Sequence, residues 1–110
     1  MSLEPVSRYE TERGVRIYRM SAQVFPMLVA NVYLVVDGDY CAMVDTGSGL
    51  GQSDEHVRQG LEQIRDDWGE RLGWADLARI VITHAHIDHY GGLAALRERT
   101  QAPVAVHELD

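Results

Sequence analysis

The sequence predicts an α/β fold on three observations. A β-hairpin pattern ends at Asp45, an amphipathic helical stretch follows a glycine-rich loop, and a short apolar strand then leads straight into a cluster of histidines. Residues 1–13 are polar at their start and lack periodicity, so they read as a flexible lead-in. Residues 14–110 form the structured unit. Apolar and basic residues alternate over 14–20, the pattern of a strand with one wet face. Residues 30–36 are rich in β-branched and aromatic side chains, Asp37-Gly38-Asp39 supplies hairpin-turn chemistry, and 40–44 resumes the apolar run.

After the loop of residues 46–51, Ser53 is placed to cap a helix whose first turn holds Asp54 and Glu55, where negative charge suits the helix dipole. Val57, Leu61, Ile64 and Trp68 then recur on one helical face, although Gly60 inside it should cost about 1 kcal/mol relative to alanine. Residues 79–83 read as a strand covered on both faces. Leu93 and Leu96, with Arg97 and Arg99, suggest a second short helix, and residues 103–106 a last strand.

Composition narrows the function classes. The chain has 110 residues, 10 basic and 17 acidic side chains, a net charge of −7 and 45% apolar residues, which describes one soluble globular domain. All ten basic residues are arginines scattered along the chain, so no stripe is present to bind nucleic acid. A spanning helix needs about 20 apolar residues. The longest apolar stretch, 24–36, is shorter and is interrupted by Pro26 and Asn31, so no membrane is expected as a partner. With no secretory signal visible and Cys41 the only cysteine, a cytoplasmic location is expected.

The chemistry is concentrated in Thr83-His-Ala-His-Ile-Asp-His-Tyr-Gly-Gly92. Side chains two apart on an extended segment project to the same face, so His84 and His86 can converge on one cation. Asp88 and His89 are adjacent where the chain turns toward a helix, and they diverge enough to serve a second. Zinc accepts imidazole nitrogen and carboxylate oxygen at about 2.0–2.2 Å. Two such ions roughly 3.5–4 Å apart activate a shared water and clamp an oxyanion. Gly91 and Gly92 leave the approach to the site unobstructed. A chance cluster of surface histidines is the competing interpretation, and the flanking apolar strand and diglycine argue against it.

His84-x-His86-x-Asp88-His89 followed by Gly91-Gly92 resembles the signature of the metallo-β-lactamase superfamily, and Val44-Asp45-Thr46-Gly47 resembles that family's first motif. The resemblance implies the N-terminal half of an αββα sandwich, with His84 and His86 on one metal and Asp88 and His89 on the second. Asp88 thus sits in the catalytic centre, and Asp45 supports it nearby. It implies two Zn2+ ions per complete site, with manganese or iron as other occupants. The implied reaction is hydrolysis of a small ester-like, thioester or lactone substrate by a metal-activated hydroxide. His86, where the oxygen-reducing di-iron branch usually has glutamate, favours a hydrolase, and His89 resembles the glyoxalase II-like and lactonase-like branches. The family domain is roughly twice this length. Its third histidine on the first metal, bridging aspartate and last histidine have no match here, and His107 is not read as a ligand. The alternative is therefore a truncated, non-catalytic metal-binding fragment. Its open sheet would be covered by the missing C-terminal half or by another copy of the chain.

Asp45-Thr46-Gly47-Ser48 also resembles the catalytic triplet of aspartic proteases, but that fold is all-β and the helix and histidine cluster argue against it. A phosphodiesterase or nuclease ranks lower, because the acidic balance disfavours a polyanionic substrate. His56 is expected on the wet side of the first helix, Cys41 in the core, and Trp68 and Trp74 at the core edge. Tyr90 is placed equally well to reach substrate or to pack.

Overall fold

The computed structural model describes residues 5–25, 28–47, 53–83, 92 and 99–106. Its strands are β1 (Ser7–Glu10), β2 (Arg16–Phe25), β3 (Leu28–Asp37), β4 (Tyr40–Val44), β5 (Arg79–Ile82) and β6 (Val104–Val106). Among the described residues, one helix, α1 (Ser53–Trp68), lies between β4 and β5, followed by a 3-10 turn at Trp74–Asp76. The six strands form one sheet in chain order. It is antiparallel from β1 to β4 and parallel from β4 to β6. The α/β class expected from the sequence is the observed one. The second helix expected near 93–99 lies outside the described residues, apart from its end at Arg99.

The β3–β4 hairpin closes on the Asp37↔Tyr40 pair, with Gly38 at φ +58 as its first loop residue. A glycine at that first position is what a type II′ turn requires, and its twist matches that of the flanking strands. Alternation then sorts the side chains. Tyr18, Leu34, Met43 and Ile80 are neighbours in register on successive strands and are all fully buried. They meet Val57, Leu61 and Ile64 of α1 in one apolar core. The opposite face carries Ile17, Tyr33, Val35, Val44 and Val81, which are half-buried.

Gly60, a helix-weakening residue by propensity, has a packing reason. A Cβ there would come within 2.7 Å of Met20 Sδ, so the glycine lets α1 press directly onto β2. Cys41 is buried, donates to the Asp76 carbonyl at 3.2 Å, and has its thiol pushed up by burial, as suits a core residue. Trp68 tilts onto the Tyr18 ring with centroids 5.5 Å apart, and Trp74 lies under the Arg99 guanidinium.

Three sequence expectations need correction. Residues 7–10, assigned to the flexible lead-in, form β1 and pair with β2 from Ser7↔Arg19 to Glu10↔Arg16. This edge strand is held by backbone pairing and by polar contacts such as Arg19 to Ser7 (3.0 Å), so it has no apolar period to detect. β5 is sealed on one face only: Ile80 and Ile82 are buried, Val81 is half-buried and Arg79 is exposed. His56 is not an idle solvent group. It is half-buried, and its Nδ1 accepts the Gln23 backbone N–H at 3.1 Å, tying α1 to β2 beyond the residues that β1 pairs with.

A polar knot joins the end of α1 to the sheet. Arg16 donates to Glu70 through Nε (2.6 Å) and Nη2 (3.0 Å), and the Tyr18 hydroxyl donates to the same carboxylate at 2.5 Å. Arg16 holds the Glu70 carboxyl below its ordinary value of 4.5; burial opposes this and Tyr18 reinforces it. Burial raises the Tyr18 phenol above 10.0, and Glu70 adds to the rise. The Glu70 contribution to stability is therefore present above pH 4.5 and is lost as pH falls through its lowered value. The Tyr18 contribution is present below pH 10.0 and is lost as pH rises through its raised value. Glu70→Gln is expected to lower stability at pH 7 by about 2 kcal/mol and to flatten the acid limb of a urea-midpoint profile. An acid limb as steep as the wild type's would show that the dependence originates elsewhere.

Candidate metal centre

At the C-terminal end of β4 the backbone turns sharply. Asp45 adopts φ +67, a left-handed conformation that aspartate tolerates better than most residues. Its N–H continues the parallel ladder to the Val81 carbonyl at 2.7 Å. Its carboxylate then takes both donors of one residue: Oδ1 accepts the Thr83 N–H (2.8 Å) and Oδ2 accepts the Thr83 hydroxyl (2.7 Å). Asp45 is only 4% exposed, so these bonds work with little screening by water. Thr83 immediately precedes His84.

The next two residues of the turn hold a second point. The Gly92 N–H is shared between the Gly47 carbonyl (3.0 Å) and Thr46 Oγ1 (3.1 Å). The Thr46 hydroxyl in turn faces the Gly47 carbonyl at 3.3 Å. A Cβ on Gly92 would stand 2.2 Å from the Thr46 carbonyl oxygen, so this position is glycine because a backbone occupies the space. That differs from the reason inferred from sequence, an open approach to the site. Gly47, at φ +75, is equally constrained: a Cβ there would lie 2.4 Å from Ser53 Oγ at the start of α1.

Asp45, Thr46 and Gly47 therefore fasten the residue before and the residue after the segment 84–91. They do so beyond the C-terminal ends of two parallel strands, where open α/β sheets bind ligands. His84, His86, Asp88 and His89, the donors expected from sequence, lie outside the described residues, as do Tyr90 and His107. Of the predicted site residues, Asp45 alone is described. Among the described residues, no group of three or more histidine, cysteine or acidic side chains converges. The donor set of three imidazoles and one carboxylate suits a divalent transition metal by its chemistry. Sequence reasoning missed Thr46 and Thr83, since a threonine beside a motif carries no signal until its partner is seen.

A mixed sheet with a helix between parallel strands, and a turn at their C-terminal ends that anchors Thr83 and Gly92, defines an α/β protein. It also removes the aspartic protease reading, because that fold is all-β and here a helix, α1, begins at Ser53 between β4 and β5. The sequence profile of the metallo-beta-lactamase superfamily matches residues 26–110, and the chain belongs to that superfamily. The probable metallo-hydrolase YqgX of Bacillus subtilis (strain 168) is 30% identical over 79 residues, covering 72% of this chain and 31% of that protein. The lactamase-like protein aptB of Emericella nidulans is 33% identical over 92 residues, covering 84% and 27%. The chain thus spans less than a third of the length of these relatives.

Among solved structures, the metallo-beta-lactamase FIM-1 from Pseudomonas aeruginosa, in its mono-zinc form, superposes with a TM-score of 0.59 at 25% identity over 98% of this chain and 44% of its own. The chemotaxis sensor ODP, in a peroxy diiron state, superposes with a TM-score of 0.70 over 96% and 40%, a likeness of fold at 17% identity. Among the described residues, no helix is long and apolar enough to cross a membrane.

Proposed function

We propose that this chain carries the metal-holding segment of a metal-dependent hydrolase, with His84, His86, Asp88 and His89 as donors and Asp45 in support. The observation that carries this reading is the double fastening of Thr83 and Gly92 to one buried turn. Such construction is costly in conformational entropy, and it makes sense where the intervening donors have to be held in a fixed arrangement. Superfamily membership and a relative named as a metallo-hydrolase support the reaction class. The mono-zinc and diiron forms named for the structural neighbours support a metal cofactor in general, and zinc is the occupant we favour over manganese or iron.

When bound there, a divalent metal would supply a Lewis acid that polarises a carbonyl and makes water nucleophilic at neutral pH. The chain's own residues do the positioning: the Asp45 carboxylate fixes where Thr83 ends and therefore where His84 begins. The substrate we propose is a small ester-like, thioester or lactone molecule, consistent with the acidic chain and its lack of lysine. The short span relative to the relatives favours a second reading, in which this segment binds metal but turnover requires the other half of the domain, or another copy, against the half-buried sheet face.

Metal analysis and hydrolysis assays on wild type and His86→Ala test both readings. Wild type is expected to take up zinc, and His86→Ala to lose it by more than the roughly 10–100-fold typical of losing a supporting partner. Close to two equivalents with thioesterase or lactonase turnover supports the enzyme, and about one equivalent without turnover supports the fragment. Equal metal uptake by His86→Ala would remove the proposal.

A further inference from the structure

Thr46 is fully buried, and its hydroxyl meets the backbone of Gly92, 46 positions away in sequence. That N–H already has a backbone acceptor, the Gly47 carbonyl. The second acceptor is therefore not needed to satisfy the Gly92 donor, which keeps the Gly47 carbonyl when it is removed. What it adds is direction. One acceptor leaves the Gly92 peptide free to pivot about a single bond, whereas two acceptors from adjacent residues fix its plane. The Thr46 carbonyl, standing where a Gly92 Cβ would be, blocks movement from another side.

Asp45 applies the same device at the other end of the segment, with two oxygens on the two donors of Thr83. Both anchors belong to consecutive residues of one turn, so the placement of Thr83 relative to Gly92 is tied to the geometry of that turn. From this we infer that Thr46 is a positioning residue for the metal donors, acting through Gly92 and without touching the metal, and that its hydroxyl sets metal affinity far more than fold stability. This rests on the metal reading above and assigns a specific role within it.

The test uses Thr46→Val, which keeps the shape and removes the hydroxyl, and Thr46→Ser, which keeps the hydroxyl. Zn2+ affinity is measured by chelator competition, Co2+ loading by visible spectra, and metal-free stability by thermal melting in chelator. Thr46→Val is expected to bind Zn2+ roughly 10–100-fold more weakly, with altered Co2+ bands and a metal-free melting temperature close to wild type. Thr46→Ser is expected to restore affinity and spectrum. Unchanged affinity in Thr46→Val, or equal loss in Thr46→Ser, overturns the role given to the hydroxyl while the metal reading stands. A metal-free melting temperature that falls in step with affinity shows a merely structural residue and also overturns it. If Thr46→Val does not fold, Thr46→Ala is compared with Thr46→Ser by the same readouts. Wild type that takes up neither Zn2+ nor Co2+ overturns the metal reading itself.

Discussion

Asp45→Ala is expected to destabilise the protein by about 4 kcal/mol and to abolish metal uptake. Two contributions add up. Hydrogen bonds to a charged group are each worth about 1.5–3 kcal/mol, and this carboxylate makes one to the Thr83 N–H and one to its hydroxyl. Alanine must also adopt the φ of +67 found at this position, which costs roughly 1–2 kcal/mol more. The bonds share one partner, so the sum is less than fully additive. For a domain of this size the loss corresponds to a melting temperature lower by on the order of 20 °C.

Asp45→Asn separates the causes, since asparagine tolerates the left-handed backbone and its amide can accept from the Thr83 N–H and donate to the Thr83 hydroxyl. It is expected to recover most of the stability. Chemical denaturation and zinc titration of the two variants provide the check; an alanine variant within 1 kcal/mol of wild type would mean that the Thr83 contacts carry little energy.

Gly92→Ala is expected to cost about 3 kcal/mol and to lower metal affinity as well. The added methyl would meet the Thr46 carbonyl oxygen at 2.2 Å, a backbone atom that no rotamer change can move aside. Overpacking of a well-filled interior costs typically about 1–3 kcal/mol, and a backbone neighbour belongs at the upper end. Relief requires the Gly92 peptide to leave Thr46 and Gly47, undoing the second anchor of the donor segment. The comparison is with Gly60→Ala, whose methyl meets Met20 Sδ, a flexible side-chain atom that can yield. Gly60→Ala is therefore expected to leave metal binding intact. Equal zinc affinity in Gly92→Ala and wild type would show that the anchor at Gly92 does not govern the donors.

Much of the architecture was legible because period follows burial. The helix face of Val57, Leu61 and Ile64 buries one stripe that a helical period records, the β3–β4 hairpin shows as β-branched runs around turn residues, and β5 shows as a short apolar run whose one-sided burial the sequence did not reveal. β1 was not legible, since an edge strand with three exposed residues out of four leaves no apolar period. The role of His56 was equally hidden. Its position on the helix fixed its direction only approximately, and the Gln23 N–H that it accepts belongs to a strand 33 residues earlier.

What the sequence determined by itself is the α/β class and the superfamily, together with a cluster of three imidazoles and a carboxylate in six positions. These depend on residue type and near spacing, which the chain carries locally. What only the tertiary structure decided is how the residues on either side of that cluster are fastened. Asp45 to Thr83 and Thr46 to Gly92 are contacts between residues 38 and 46 positions apart, formed only when β4 and β5 lie side by side. Hydrogen bonds act over about 3 Å, so which distant donor meets which acceptor is fixed by packing and not by order along the chain.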